Sequence, residues 1–331
     1  MTGLVQLQKN DTRVVAMVAG NQLLVIPSAR SVYDLAMQAI AKGIRLFELI
    51  RDVTASGTVL YDEVYEGKSD WRLLPAFDHP TDPARCFVTG TGLTHKASVD
   101  NRNAMHAEKT HLTDSMRMYQ WGLEGGRPPA GEIGVSPEWF YKGNGTILRA
   151  HNEPIGVPAF AEDGGEEAEI AGIYVIDDAG NPRRVGMTQG NEFSDHVFEK
   201  RNYLYLASSK LRECSIGPEL MLDPDFYIVR GHARVRRGGA VLWEKEIRSG
   251  ESNMCHTLEN LEHHHFKFPL HRRPGDVHIH FFGASAFSFG DQVQLEAGDV
   301  MEVNFPAYGK PLRNPLRVDP GPAKLVRVIP L

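Results

Sequence analysis

One stretch constrains this chain more than any other. Glu167-Ala168-Glu169 runs straight into Ile170-Ala171-Gly172-Ile173-Tyr174-Val175-Ile176. The β-branched run predicts a strand. Alternate side chains of a strand share a face, so Glu167 and Glu169 point the same way. Two carboxylates side by side at the edge of a buried strand repel each other. Either one takes a proton or a cation sits between them. The segment Asp178-Ala179-Gly180-Asn181-Pro182 predicts a turn that folds the chain back and brings a third acid, Glu192, close. Three hard oxygen ligands with no His or Cys ligand nearby favour Mg²⁺, Mn²⁺ or Ca²⁺ over Zn²⁺. A solvated acidic hairpin accounts for the same spacing equally well.

The chain has 331 residues, 42% of them hydrophobic and 24% charged, the range of ordinary globular proteins. Its net charge of −6 argues against a nucleic-acid partner, because phosphate binding needs a basic surface. No run of about 18 apolar residues predicts a membrane span. The segment MTGLVQLQKNDTR carries no secretory h-region, and Cys86, Cys214 and Cys255 read as reduced thiols. The expectation is a cytoplasmic protein.

Residues 1–85 read as a small first unit and residues 86–331 as a second, with Pro75–Pro83 as a linker. Val14–Val18 and Leu23–Ile26 flank Gly20-Asn21, a hairpin signal. A helix is predicted from Ser31 to about Arg51. Cys86-Phe87-Val88 leads into the glycine-bearing turn Gly90-Thr91-Gly92-Leu93-Thr94-His95, and residues 101–123 read as a polar helix. Lys142 follows an aromatic run and suits either an anionic substrate or an exposed turn. Residues 226–235 and 240–247 predict a hairpin, and residues 259–266 a short helix. On the predicted strand 277–283, His278 and His280 share a face. Such a pair can bind zinc but lacks a clear third ligand here, and hydrogen-bonded strand histidines are the alternative.

Taken in order, these segments resemble the fumarylacetoacetate hydrolase superfamily. Gly92-Leu93-Thr94 sits where that family has Gly-Leu-Asn-Tyr, and Trp139-Phe140-Tyr141-Lys142 resembles its Phe-Phe-x-Lys segment. Glu167-Ala168-Glu169 matches its Glu-x-Glu metal pair, and Asn191-Glu192-Phe193-Ser194 its Asn-Asp-x-Ser. Lys210 with Ile216-Gly217-Pro218 resembles its second lysine and following Gly-Pro. Pro274–Val277 and Gly298–Val303 match its closing turns and strands. The resemblance implies an α+β, β-rich fold: a small N-terminal α/β domain and a C-terminal mixed β-sandwich or β-roll. It also implies a homodimer, and Mg²⁺ or Mn²⁺ held by Glu167, Glu169 and Glu192.

Three departures bear on the reaction. The third ligand is Glu192 where Asp is usual. Ser98 and Asn101 stand where the hydrolases carry a His-x-x-Glu pair, and neither equals that pair as a general base. His280-Phe281-Phe282-Gly283 replaces the family's Thr-Gly-Thr-Pro. The variant set is similar to that of 2-keto-3-deoxy-pentonate (arabonate) dehydratases. It implies a lyase that turns a 2-oxo sugar acid into 2-oxoglutarate semialdehyde through a metal-stabilised enolate, with no nucleic acid or membrane as partner. In that scheme Lys210 is the expected base, with Ser98 and His95 as further catalytic candidates. Lys142, Thr94, Phe140, His280 and Ser285 are the substrate-binding candidates. Acylpyruvate hydrolysis, oxaloacetate decarboxylation and non-catalytic sugar-acid binding are the other readings.

Overall fold

A computed structural model describes residues 2–27, 29–96 and 113–331. The expected β-rich α+β fold is what it shows. Four strands open the chain: β1 (Thr2–Lys9), β2 (Thr12–Ala19), β3 (Gln22–Val25) and β4 (Gly57–Leu60). Then come β5 (Arg72–Leu73), β6 (Cys86–Gly92), β7 (Glu138–Asn144), β8 (Leu148–Arg149) and β9 (Ile155–Val157). The acidic stretch forms β10 (Ala168–Ile176) and β11 (Pro182–Asn191), followed by β12 (Cys214–Ile216) and β13 (Leu220–Leu222). The tail adds β14 (Val229–Arg237), β15 (Ala240–Ser249), β16 (Val277–Phe281), β17 (Val300–Asn304) and β18 (Leu312–Val318).

Two sheets carry these strands. The larger runs β4-β3-β2-β1-β13-β11-β10-β16-β6-β7, with β5 added to β1 and β12 linking β11 to β8. The smaller runs β15-β14-β17-β18-β9. Side-chain alternation along β10 divides two cores. Ala171, Ile173 and Val175 join a cluster with Val32, Leu35 and Ala36 of helix α1 (Val32–Lys42). Ala168 and Ile170 face the other way, against Ala233, Val235 and Val303 of the smaller sheet. A strand covered on both faces has to be apolar on both, which is why β10 reads as a continuous run. No described helix is long and apolar enough to cross a membrane.

The structure differs from the sequence reading in three places. The predicted helix 31–51 breaks in two, because Gly43 takes a left-handed conformation (φ 65°) and ends α1. A separate helix α2 (Leu46–Ile50) follows. Residues 75–83 are no solvated linker: Ala76 and Phe77 are fully buried, and Asp78 pairs with Arg13. The strand β1 had no counterpart in the sequence reading, yet it joins β2 to β13. Of the predicted helix 101–123, residues 101–112 lie outside the described residues, and the rest falls in the helix Asp114–Gly125.

Candidate metal centre

Register builds the site. Ala168 pairs with Asn191 across β10 and β11, and the Glu192 amide donates to the Glu167 carbonyl at 2.9 Å. The hairpin thus sets Glu192 opposite Glu167, and Glu169 shares their face. One carboxylate oxygen from each acid lies within 4.8 Å of the others, and all three side chains are buried. The solvated acidic hairpin is therefore excluded.

The residues around Glu192 fix the corner. Asn191 Oδ1 accepts from the amides of Glu167 and Phe193, both at 3.1 Å. Phe193 anchors the turn in a small apolar cluster with Ile155 and Leu316. Ser194 Oγ lies 3.2 Å from Glu192 Oε2. Asp195 caps the helix His196–Arg201 through the Phe198 amide and pairs with Arg212 at 2.9 Å.

Two buried ammonium groups face the three carboxylates. Lys142 Nζ is 2.5 Å from Glu192 Oε1 and donates to the carbonyls of Phe193 and Lys210, both at 2.9 Å. Lys210 Nζ reaches Glu167 Oε1 at 2.5 Å, Glu192 Oε2 at 2.7 Å and Ser194 Oγ at 3.0 Å. It also sits 4.8 Å from the Phe140 ring centroid. The electrostatics separate the three acids. Burial raises all three, but Lys210 and His196 overcome it at Glu167, which falls well below the ordinary glutamate value. Burial dominates at Glu169 and, with Glu192 and Glu167 nearby, lifts it well above. Glu192 is pushed up to about 7 by burial, with Lys142 and Lys210 opposing. Burial alone would lower Lys210, as a base requires, but Glu167 and Glu192 outweigh it and raise the pKa above the ordinary lysine value.

The donor set fits a hard divalent cation. It offers oxygens alone, and among the described residues Glu167 Oε2 and Glu169 Oε1 accept no protein hydrogen bond. Glu169 is held from behind by the Gly283 amide at 2.7 Å.

The other candidates divide. Thr94 Oγ1 donates to the Phe282 carbonyl at 2.7 Å, next to that Gly283. His95 Nδ1 lies 2.9 Å from Thr94 Oγ1, and burial pushes its pKa down to about 4. Ser98 lies outside the described residues. His280 is not brought to the triad. It pairs across the sheet with Gly172, whose position has the opposite parity to Glu169, and its Nδ1 contacts Thr89 Oγ1 at 2.8 Å. Ser285 Oγ accepts from the Arg248 amide at 3.1 Å, and no hydrogen bond among the described residues joins it to the acids.

Sequence reasoning passed over His196, although it lies two residues beyond Asn191-Glu192-Phe193-Ser194. Its Nε2 stands 3.0 Å from Glu167 Oε1. The ring is held between Phe287 and Phe289, with centroids at 4.9 and 5.2 Å. A Cβ at Gly165 would lie 2.6 Å from its Nδ1, so only glycine leaves the ring its place. His196 and Lys210 both hold Oε1 of Glu167, which leaves Oε2 without a protein donor among the described residues. An orienting histidine of this kind affects ligand affinity by about 10–100-fold. His196→Phe, which keeps the stacking and loses the donor, is expected to weaken Mg²⁺ binding by that factor in isothermal titration calorimetry.

No protein-family profile and no curated protein matches this chain. Solved structures do. The apo form of 2-keto-3-deoxy-D-arabinonate dehydratase superposes with a TM-score of 0.71 at 20% identity, covering 97% of this chain and all of that one. A structure of 2-keto-3-deoxy-D-arabinonate dehydratase complexed with magnesium and 2,5-dioxopentanoate gives 0.71 at 19% identity, covering 96% and 99%. The 5-carboxymethyl-2-hydroxymuconate delta-isomerase of Mycobacterium smegmatis gives 0.58 at 18% identity, covering 96% and 100%. The chain has the fold these dehydratases and isomerases share, as its resemblance in sequence implies.

Proposed function

We propose that the protein is a Mg²⁺-dependent hydro-lyase acting on a 2-keto-3-deoxy sugar acid, a 2-keto-3-deoxy-pentonate in the first instance. The observation that carries this reading is the buried triad of Glu167, Glu169 and Glu192 faced by two lysines. It stands on a fold shared with a dehydratase crystallised with magnesium and 2,5-dioxopentanoate. Glu167, Glu169 and Glu192 would hold the cation, which when bound supplies Lewis acidity toward a 2-oxo acid.

The protein's own groups account for the rest. Lys142 is committed to two carbonyls and Glu192, so it pins the corner rather than moving a proton. Lys210 is assigned to the substrate's C3 proton; as an ammonium held by Glu167 and Glu192 it can take that proton only after giving up its own. Thr94 and His95, on the strand end beside Gly283, are assigned to the C4 hydroxyl as it leaves with a proton. Loss of the C3 hydrogen and the C4 hydroxyl as water, followed by tautomerisation, gives 2-oxoglutarate semialdehyde.

Purified protein supplied with Mg²⁺ and 2-keto-3-deoxy-L-arabonate or its D-isomer is expected to form one equivalent of that aldehyde, followed by proton NMR. Both isomers left intact would overturn the dehydratase reading. Release of pyruvate would point instead to carbon–carbon cleavage in the same site.

A further inference from the structure

Glu166 stands directly before the first of the three acids and takes no part in the triad. The chain around it runs antiparallel to residues 192–194. Gly165 and Ser194 exchange backbone bonds at 2.9 and 3.0 Å, and the Glu192 amide donates to the Glu167 carbonyl. Gly165 and Glu167 both approach His196, so alternation turns Glu166 to the opposite side. There it is fully buried. Both of its oxygens bind a single residue: Oε1 accepts from the Ser288 amide at 2.6 Å, and Oε2 from Ser288 Oγ at 2.8 Å. Taking a carboxylate out of water is costly, and charge-assisted bonds of this kind offset the cost.

Ser288 lies between Phe287 and Phe289, the two rings stacked on His196. The rest of segment 283–291 is tied down at its ends. The Gly283 amide holds Glu169, and Asp291 accepts from Trp243 Nε1 at 2.8 Å and Lys245 Nζ at 2.9 Å. Only the bonds to Glu166 fall at the rings themselves. The geometry points to Glu166 as a positioning residue of the metal centre: it sets Phe287 and Phe289 against His196, and His196 in turn holds Glu167. Neighbouring glutamates on opposite sides of one strand thus divide the work. Glu167 offers its free oxygen to the cation, and Glu166 fixes the ring that orients it. This inference rests on the metal centre of the proposed function and not on its reaction.

Two readouts test it without substrate: Mg²⁺ titration calorimetry, and proton–carbon correlation spectra of histidine-labelled protein. The His196 signal is assigned by its loss in His196→Phe. Stacked on two phenyl rings, its ring protons lie upfield in wild type. Glu166→Ala is expected to move them downfield and to weaken Mg²⁺ binding about 10-fold. Glu166→Gln, whose amide accepts from the Ser288 N–H and donates to its hydroxyl, should restore both. In the His196→Phe background Glu166→Ala should add less than about 2-fold, because the two residues act in series. A glutamate that only stabilised the fold would leave the ring signal in place in the folded protein. Ser288→Ala removes one of the two bonds and carries the test if Glu166→Ala does not fold; it should move both readouts in the same direction. Unmoved ring protons, or Mg²⁺ losses that multiply across Glu166 and His196, overturn the proposal. If wild type binds no Mg²⁺ the proposed function falls, and the ring signal alone then decides whether Glu166 places His196. Both readouts hold whether or not a sugar acid is dehydrated, so the two failures are distinguishable.

Discussion

Glu192→Ala is expected to abolish turnover and to lower stability by about 3–5 kcal/mol, the usual result of removing one partner from a buried ion pair. Glu192 is fully buried, as are its partners Lys142 and Lys210. Without it, Lys142 loses its carboxylate outright and Lys210 keeps only Glu167. Neither ammonium can reach water, and a buried cation that has lost its carboxylate costs stability whether it stays charged or gives up its proton. Urea unfolding with and without Mg²⁺ measures the first effect, and aldehyde formation the second. Glu192→Ala combined with Lys142→Met should recover much of the stability and none of the activity, because an apolar pair can replace a buried ion pair at little cost. An alanine variant within about 1 kcal/mol of wild type would show that these contacts do not hold the corner.

Acid should unfold the protein from a different place. His265, His271, His278 and His280 form a buried cluster behind the sheet, with His265 ring centroids 4.6–4.9 Å from the other three. The hydrogen bonds fix its protonation. The Trp139 indole can only donate, so His265 Nδ1 accepts at 3.2 Å and Nε2 carries the proton. His265 Nε2 then donates to His278 Nδ1 at 2.9 Å. A proton added to either acceptor breaks a bond, and no carboxylate bonds to these rings among the described residues. Burial, helped by the neighbouring rings, pushes His278 and His280 down to about 3 and His265 well below its ordinary value.

The sign follows from linkage. The unfolded chain binds protons below about pH 6.5 while the folded chain refuses them. The stability is complete above that pH and falls as pH drops toward 3. From pH 7.5 to 5 each of His278 and His280 should remove about 2 kcal/mol. Urea midpoints at pH 7.5 and pH 5 measure the loss. His278→Leu should lose less between the two than wild type does. Burial raises Glu169 and Glu192, which titrate in the opposite sense, so the difference between variant and wild type isolates the ring. Equal losses in both proteins would acquit the cluster.

The acidic hairpin was legible because its cues are local: a β-branched run, a turn of Asp, Gly, Asn and Pro, and an acid at either end. Strand periodicity also placed Glu167 and Glu169 on one face. It could not say which face of a neighbouring strand they meet. His280 was assigned to the site for that reason. Its parity relative to Glu169 is set by the β10–β16 register, which pairs residues over 100 positions apart. The same limit hid His196, whose role depends on Phe287, Phe289 and Gly165 gathering around it. The Pro75–Pro83 segment misled differently, since prolines mark where the chain bends and not whether Phe77 is buried.

Lys142 and Lys210 give the acids counter-charges that belong to the polypeptide itself. The nest of carboxylates can therefore assemble during folding in a magnesium-poor cell, without waiting for an ion to quench its repulsion. A zinc finger is built the other way round, its shape forfeited when the metal is stripped. Here a chelator should silence the protein and leave the scaffold standing, ready to be recharged.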